Sequence, residues 1–341
     1  MRVGVFGATG QVGGVMLELL AERKFPADDL RLFATSRSRG TRIEWAGRDV
    51  EVEDTEGADF AGIDIGLLSC GAEASRALSP RIVAAGGLVV DNSSAWRMDP
   101  EVPLVVPEVN AVALSSVPKG IVANPNCTTM VAMPVLAPLH DAAGIKRLVV
   151  STYQAVSGAG RAGVIELARQ LIAAGTDPDV LGSLAFGTGP LQGLDPTVFP
   201  DVIAFNVVPL AGKLVDEETD EEKKFRNESR KILGIPDLEV SCTCVRVPVF
   251  TGHALSLNVE LRSPLSVAGA QHILASAPGV VVSELPTPLQ ATGEDATYVG
   301  RLRPDPSVPY GLSMFICGDN LRKGAALNAV QIAEILVDQL G

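Results

Sequence analysis

The segment "ANPNC", residues 123 to 127, places a cysteine directly after an Asn-Pro-Asn turn and ahead of the apolar stretch "TTMVAMPVL". This pattern predicts that Cys127 lies at the start of a helix. The thiolate is the reactive form of cysteine, and a helix N-terminus lowers the thiol pKa through its dipole and unpaired N–H groups. The same N–H groups can hold an oxyanion formed when sulfur attacks a carbonyl. We therefore interpret Cys127 as a candidate nucleophile, with a small buried cysteine as the alternative.

A nucleophilic cysteine requires a nearby acid/base, and the sequence contains only three histidines. His140 is explained by a favourable contact at a predicted helix end, and His272 lies within a helical pattern. His253 follows a β run on a glycine, in "FTGH", where a side chain can be aimed into a cleft. We predict that His253 is the acid/base, with a structural loop histidine as the alternative. Arg246, just before it in an apolar strand, requires an anionic partner, either a structural carboxylate or a substrate carboxylate.

The segment "GATGQVGG" follows the first predicted strand and opens a helix. Gly7 would allow the tight turn, Gly10 the close approach of a pyrophosphate, and Gly13 close packing of helix on strand. Where an NAD site places an acidic residue, the second strand is followed by "ATSRSRG", which offers Arg37 and Ser38 and no carboxylate. These donors favour NADP over NAD. A glycine-rich turn and a polar surface turn without nucleotide are the alternatives.

The elements that position these residues fall into two patterns. A length of 341 residues predicts two domains. The first third alternates short apolar runs with helical patterns, which predicts a Rossmann-like, doubly wound, mostly parallel sheet. After about residue 145 the apolar runs lengthen, "DVIAFNVVP" at 201–209 among them, and they predict an α+β domain with a mixed or antiparallel sheet. The final segment, from residue 319, predicts one amphipathic helix.

Composition excludes several partners. The 40 acidic and 28 basic residues give a formal charge of -12 without a segregated basic patch, which disfavours nucleic acid and anionic lipid. No apolar run approaches the ~18 residues of a membrane span and no signal-peptide core is present, so we expect a cytoplasmic protein. The five cysteines lack the spacing of a zinc site or a disulfide framework, so no metal is expected. The charge run at 216–231 predicts a solvated helix.

Several motifs together carry a family resemblance. The stretches "GATGQVG", "DNSSAWRMD", "VPEVN", "NPNCTT", "YQAVSGAG", "CVRVPVFTGH" and "GDNLRKGAALN" resemble those of bacterial aspartate-semialdehyde dehydrogenases, NADPH-dependent enzymes that reductively dephosphorylate aspartyl 4-phosphate. The resemblance implies an NADP-binding domain of residues 1–127 completed by a C-terminal helix at 320–341. It implies a catalytic and dimerisation domain at 128–319 and a homodimer or homotetramer.

The resemblance also implies a reaction. L-Aspartyl 4-phosphate is converted reversibly to L-aspartate 4-semialdehyde and phosphate through a cysteine acyl-thioester. The product serves the biosynthesis of lysine through diaminopimelate and of threonine, methionine and isoleucine.

Site residues follow from the same resemblance. Cys127 becomes the thioester nucleophile, His253 the acid/base, Gln154 the group that orients the substrate, Arg246 the anchor of its carboxylate and Glu221 the partner of its amino group. The phosphate-binding residues are Arg97, Asn126 and Lys224. The cofactor contacts are Thr9, Gly10, Gln11, Val12, Arg37, Ser38, Ser157, Gly158 and Asn320. Within the charge run, Glu222 and Lys223 are alternatives to Glu221 and Lys224.

Two other functions compete with this interpretation. N-Acetyl-gamma-glutamyl-phosphate reductase shares the fold and the cysteine chemistry, but its acetylated substrate offers no cation to Glu221. A non-catalytic NADP-binding sensor is the second alternative. The presence of Cys127, Gln154, Arg246 and His253 together argues against such a sensor.

Overall fold

The computed structural model describes residues 1–175, 178–187 and 194–340. Its first sheet comprises β1 (Arg2–Phe6), β2 (Asp29–Ala34), β3 (Arg42–Trp45), β4 (Arg48–Asp54), β5 (Ile65–Leu68), β6 (Leu88–Asp91) and β7 (Ile121–Ala123). The strand order is β3-β4-β2-β1-β5-β6-β7, and every pair except β3 with β4 is parallel. Because β2 and β5 flank β1, the carboxyl end of β1 lies at the point where doubly wound sheets bind their ligands.

The second sheet comprises β8 (Ile145–Gln154), β11 (Glu239–Arg246), β12 (His253–Leu261), β13 (Val280–Val282), β14 (Thr297–Asp305) and β15 (Gly311–Gly318). Between β8 and β11 in the chain lies a small ribbon of β9 (Leu214–Val215) and β10 (Glu218–Thr219). The larger sheet has the order β11-β8-β12-β15-β14-β13. Its outer pairs are parallel and its inner pairs antiparallel. The predicted α/β fold, with a doubly wound sheet followed by a mixed sheet, is confirmed.

The helices connect and cover these sheets. They are α1 (Gln11–Glu22), α2 (Ala72–Ala84), α3 (Pro107–Asn110), α4 (Cys127–Ala143), α5 (Gly160–Gly175), α6 (Pro178–Phe186), α7 (Asp220–Leu233), α8 (Val267–Ala275), α9 (Pro288–Ala291) and α10 (Leu327–Leu340). Short 3-10 turns occupy Ser36–Ser38, Ala111–Ser115 and Val156–Ala159, and a π-helical turn occupies Arg322–Ala326. Over the described ranges, no helix combines the length and apolar character needed to cross a membrane.

The C-terminal helix packs on the first sheet rather than on the second. Leu20 of α1 and Val330 and Ala333 of α10 belong to one buried cluster with the strands of that sheet. The predicted helix at 320–341 is interrupted at its start, because α10 begins only at Leu327, after the π-helical turn. Residue 341 lies outside the described residues. This packing supports the predicted domain division, which stays a prediction.

Buried polar bonds join the C-terminal segment to the end of β7. The Asn124 Nδ2 donates to Ala325 O at 2.9 Å, and the Asn328 Nδ2 donates to Asn124 Oδ1 at 2.6 Å. Lys323, in the π-helical turn, is fully buried and donates to Glu108 of α3 at 2.5 Å. A buried charge is tolerated only when it is paired and hydrogen-bonded, so these bonds fix the position of the segment.

One face of the second sheet is covered by α4, α7 and α8, which share its main core. Helix α4 continues through Pro134 and Pro138, although each proline removes one intrahelical donor. The opposite face of the sheet is more open. Tyr153 and Phe315 lie there with ring centroids 5.8 Å apart, and Tyr153 is exposed.

The predicted strand at 201–209 is wrong. Only Val208 makes a ladder contact, an isolated bridge to Arg246. Ile203 instead packs in a small core with Leu167 of α5, and Phe205 adopts a positive φ of 60°, which breaks the extended backbone. The apolar residues of this segment thus serve local packing rather than a sheet.

Candidate active site

Cys127 is the first residue of α4, as the turn before it predicts. The preceding Asn126 is the N-cap, and its Oδ1 accepts hydrogen bonds from Thr128 N at 3.0 Å and Thr128 Oγ1 at 2.6 Å. A side-chain cap of this kind satisfies helix N–H groups that otherwise lack partners. The cap therefore fixes the turn from which the sulfur projects.

His253, the first residue of β12, is fully buried beside this sulfur. Its Nε2 lies 3.1 Å from Cys127 Sγ, and its Nδ1 accepts a hydrogen bond from Ala155 N at 3.1 Å. Since Nδ1 accepts, the neutral ring carries its proton on Nε2 and presents a donor to the sulfur. The preceding Gly252 has a φ of +95°, and a Cβ there would lie 2.7 Å from Pro288 O. Only glycine fits this turn, which aims His253 into the site.

The electrostatic environment keeps both groups neutral. Burial, and then the Glu221 carboxylate, raise the pKa of the Cys127 thiol to about 12, although Arg246 and Arg97 oppose the rise. Burial, and then the charge of Arg246, hold the pKa of His253 well below its usual value. The pair is therefore a thiol and a neutral imidazole near pH 7. The predicted lowering of the thiol pKa is wrong for this arrangement, because desolvation outweighs the lowering by Arg246, Arg97 and the Thr128 N–H.

Arg246 and Gln154 lie side by side, as paired residues at the ends of β11 and β8. The Arg246 Nη1 donates to Ala155 O at 2.7 Å, its guanidinium carbon lies 5.9 Å from the Phe199 ring centre, and burial lowers its pKa. Gln154 is 1 % exposed, and its buried Nε2 has no hydrogen-bond partner. Both residues line a cavity of about 400 Å³ together with Cys127. An unpaired amide donor beside a guanidinium is suited to a carboxylate ligand.

Glu221 of α7 borders the same cavity. Its Oε2 accepts from Asn126 Nδ2 at 2.9 Å, and its Oε1 accepts from Lys224 Nζ at 2.8 Å. The loop at 210–213 closes over this carboxylate. A Cβ at Gly212, whose φ is +90°, would lie 2.8 Å from Glu221 Cγ.

The neighbouring charges of α7 are engaged elsewhere. Glu222 forms a capping box with Thr219 and accepts from Cys244 N at 2.9 Å. Lys223 pairs with the exposed Asp216 at 2.8 Å. The structure thus brings Glu221 to the cavity and bonds Lys224 to Glu221 and Asp220. It directs Glu222 and Lys223 to structural contacts. The prediction that the charge run forms a solvated helix is therefore correct for only part of α7.

Arg97 is buried on the other side of Cys127. Its Nε donates to Asn124 O at 2.9 Å and its Nη2 to Asn92 O at 3.0 Å. Arg97 and Asn126 line a second cavity, of about 150 Å³, which also reaches Cys127. The two cavities therefore meet at the sulfur.

Glu228 is a site residue that the sequence analysis missed. Its carboxylate pairs with Arg97 Nη1 at 3.0 Å and accepts from Asn126 N at 2.6 Å. The sequence does contain one indication of its role. Glu228 follows Glu221 by seven residues, which places both carboxylates on one face of a helix.

Several predicted cofactor contacts line the second cavity: Val12, Ser157, Gly158 and Asn320. The Asn320 Nδ2 donates to Ser157 Oγ at 2.9 Å, while its Oδ1 accepts from Gly252 N at 2.8 Å. A Cβ at Gly158 would lie 2.9 Å from Arg246 Nη1 and 3.1 Å from His253 Cε1. The glycine therefore lets the backbone pass directly over the reactive side chains.

The remaining cofactor contacts surround the glycine-rich turn after β1. Gly7 has a φ of +86°, and a Cβ there would lie 2.5 Å from Ser69 O. Thr9 Oγ1 lies 3.3 Å from Ser38 Oγ, beside the exposed Arg37. The buried Gln11 Oε1 has no partner. Hydroxyls, a guanidinium and an unpaired acceptor at a helix N-terminus fit the phosphates and hydroxyls of a dinucleotide.

Two family models match this chain, one over most of the first sheet and one over the second. The model of the semialdehyde dehydrogenase NAD binding domain matches residues 2–117, and that of the semialdehyde dehydrogenase dimerisation domain matches residues 136–323. An aspartate-semialdehyde dehydrogenase of Streptomyces akiyoshiensis is 56% identical over 100% of this chain and 99% of its own length.

Two solved structures are similar throughout. The aspartate semialdehyde dehydrogenase II of Vibrio cholerae complexed with ASA is 42% identical, with a TM-score of 0.91 over 99% of this chain and 98% of that one. The aspartate semialdehyde dehydrogenase of Candida albicans with NADP is 26% identical, with a TM-score of 0.72 over 98% of each chain.

The raised thiol pKa predicts a specific alkylation profile. The rate of Cys127 modification by iodoacetamide should rise roughly tenfold per pH unit from pH 7 to 9, because the thiolate fraction grows at that rate below a pKa of about 12. Peptide mass spectrometry measures the rate, and Cys127→Ala identifies the labelled peptide. A rate that levels off below pH 8 would contradict the burial argument.

Proposed function

The chain belongs to the aspartate-semialdehyde dehydrogenase family, and we propose that it converts L-aspartyl 4-phosphate with NADPH to L-aspartate 4-semialdehyde and phosphate through an acyl-thioester on Cys127. The observation that carries this proposal is the 3.1 Å contact between Cys127 Sγ and His253 Nε2, at the meeting point of two cavities. One cavity offers groups for a small amino acid, and the other adjoins the glycine-rich turn.

The substrate's carbon skeleton is assigned to the larger cavity. Arg246 pairs with the substrate carboxylate, and the unpaired Gln154 Nε2 donates to the same molecule near its reacting carbonyl. Glu221 pairs with the substrate amino group across the cavity. With the carboxylate and the amino group on the α-carbon both held, the acyl carbon at the other end of the substrate meets the sulfur at a near-attack distance.

The free amino group distinguishes this substrate from an acetylated one. Glu221 is part-buried, and it already accepts one bond each from Asn126 and Lys224. A cationic amine adds a charge-assisted bond, whereas an N-acetyl group brings bulk and no charge. This argument disfavours the N-acetyl-gamma-glutamyl-phosphate reductase alternative.

The phosphate of the substrate is assigned to Arg97, Asn126 and Lys224. Sulfur attacks the acyl carbon, the bond to the phosphate oxygen breaks, and the thiol proton leaves with the phosphate as hydrogen phosphate. The arginine and lysine charges stabilise the negative charge on the departing group. Cys127 is then held as a thioester, beside the fully buried His253.

His253 is the proposed acid/base, and its hydrogen bond to Ala155 N favours the acid half of that role. The Nε2–H supports the thiolate as it forms and the oxygen of the tetrahedral intermediate that precedes aldehyde release. Collapse of that thiohemiacetal frees the semialdehyde and returns the thiolate, which takes up one proton from solvent. Use of His253 as a base on the thiol would require the other tautomer, at the cost of the Ala155 bond.

NADPH is assigned to the glycine-rich turn and to the smaller cavity. The related enzyme of Candida albicans was solved with NADP, and the corresponding half of this chain matches an NAD binding domain. We assign the pyrophosphate to Thr9, Gly10, Gln11 and Val12, the 2′-phosphate to Arg37 and Ser38, and the nicotinamide end to Ser157, Gly158 and Asn320. Bound NADPH supplies the hydride that reduces the thioester carbon.

Assembly, domain limits and context complete the proposal. A match to a dimerisation domain and the open face of the second sheet support a homodimer, and a tetramer of such dimers is the larger alternative. We propose domains of 1–127 with 320–341, and of 128–319. The semialdehyde would serve the biosynthesis of lysine through diaminopimelate and of threonine, methionine and isoleucine, in the cytoplasm.

The proposal is tested by phosphate-dependent oxidation of aspartate semialdehyde, followed as NADPH absorbance with and without inorganic phosphate. Wild-type protein should reduce NADP only when phosphate is present, and Cys127→Ala should be inactive while binding NADPH with nearly unchanged affinity. Mass spectrometry should locate an acyl adduct on Cys127. An adduct on Cys70 or Cys317, or no activity with NADP or NAD, would overturn the proposal.

Arg37→Ala tests the cofactor assignment. A charge-assisted bond to the 2′-phosphate is worth about 1.5–3 kcal/mol, so the KM for NADPH should rise about tenfold or more, while the KM for NADH should stay within about twofold. Arg42→Ala is the matched control, because Arg42 is an exposed neighbour that pairs with Asp49 and Glu51. Equal losses for both cofactors would remove Arg37 from the site.

Arg246→Lys tests the carboxylate anchor. Lysine keeps the charge but loses the planar pair of donors, so kcat/KM should fall at least roughly tenfold, or about 1.4 kcal/mol of transition-state binding. Arg230→Lys is the control, since Arg230 donates to the backbone of Leu238. If Arg246→Lys lowers the melting temperature and leaves kcat/KM normal, Arg246 is structural.

A further inference from the structure

Glu228 is a deeply buried carboxylate that the proposed chemistry does not use. It lies on α7 with 1 % of its surface exposed. Its Oε1 accepts from Arg97 Nη1 at 3.0 Å, and its Oε2 accepts from Asn126 N at 2.6 Å. Burying a charge is unfavourable unless it is paired and its oxygens are bonded, and these two contacts satisfy both conditions.

The first contact fixes the plane of a guanidinium. Arg97 has five N–H groups, and three of them donate to Asn124 O, Asn92 O and Glu228. The three acceptors belong to different segments, so they define both the position and the rotation of the group. The two N–H groups that remain are available to an acceptor in the cavity that Arg97 borders.

The second contact fixes the residue before the nucleophile. Asn126 is the N-cap of α4, and Cys127 follows it directly. The Glu228 carboxylate holds its backbone N–H, while Glu221 holds its side-chain amide. One carboxylate on α7 therefore reaches, through separate oxygens, two of the three groups assigned to phosphate.

We propose that Glu228 is a positioning residue for phosphate, which acts by orienting Arg97 and the Asn126 turn. This inference rests on the proposed phosphate-dependent reaction. A glutamine at this position has one acceptor and one NH₂ group, so its NH₂ must face one of the two donors. That donor then loses its partner, and the phosphate loses a correctly oriented ligand, although the local charge becomes more positive.

The experiment measures the KM for inorganic phosphate during NADP-dependent oxidation of aspartate semialdehyde. Glu228→Gln should raise it about tenfold or more, with the KM for NADP within about twofold of wild type. In an Arg97→Ala background, most of the additional effect of Glu228→Gln should vanish, because residues that act through one another are not additive.

Two further variants separate positioning from folding. Glu222→Gln makes the same charge change on the same helix, and it likewise leaves one of two donors, Thr219 N or Cys244 N, without a carboxylate oxygen. Because neither donor is assigned to phosphate, its phosphate KM should match wild type. Glu228→Asp keeps the buried charge but withdraws it by one methylene, and it should also raise the phosphate KM. It provides the test if Glu228→Gln does not fold.

The outcomes distinguish this inference from the function on which it rests. Wild-type protein without phosphate-dependent activity would refute the proposed function. Active wild-type protein with an unchanged phosphate KM in the folded Glu228 variants would refute the positioning role alone. The positioning role alone would also be refuted if these variants raised the KM values for phosphate, aldehyde and NADP by similar factors.

Discussion

The start of α4 is the junction on which the rest of the site depends. The last strand of the first sheet ends at Ala123, and the helix that supports the second sheet begins at Cys127. Helix α7 bonds to this short connection through Glu221 and Glu228, and β12 reaches it through His253. The sulfur is therefore positioned by both halves of the molecule at once, and a shift of either half would change its distance to its partners.

The charges near the sulfur are balanced rather than simply positive. The chain as a whole carries a formal charge of -12, yet Arg97 and Arg246 lie close enough to Cys127 to stabilise a thiolate, whereas Glu221 opposes it. A substrate amine paired with Glu221 would cancel that opposition. A carboxylate paired with Arg246 and a phosphate paired with Arg97 would likewise cancel the support that these arginines give the thiolate, so the charges of the proposed substrate act on the thiol pKa in both directions.

Local signals in the sequence predict the parts of the site that depend on local structure. The turn before Cys127 and the glycine before His253 each leave a recognisable pattern, and the structure has both features where they were predicted. The family resemblance supplied Gln154 and Glu221, which no local pattern would single out, whereas the position of Arg246 in an apolar strand had already marked it as a candidate. Glu228 was not predicted because its partner Asn126 lies 102 residues away in the chain.

The direction of the thiol pKa shift was predicted wrongly, because burial depends on the tertiary structure. The apolar run at 201–209 does not reveal that it packs locally and contacts a strand only through the bridge of Val208 to Arg246.

The bonds between Asn124 and the C-terminal segment have a consequence for how the protein is made. Ala325 and Asn328 complete the hydrogen bonding of Asn124, three residues before the nucleophile. A ribosome releases the chain from its N-terminus, so the first sheet emerges long before these partners exist. The cysteine and its cap are translated just after the first third of the chain but acquire their final support only when α10 has been made. Assembly of the reactive centre is thus postponed until Ala325 and Asn328 have been synthesised, and a chain truncated before Ala325 would lack these bonds to Asn124.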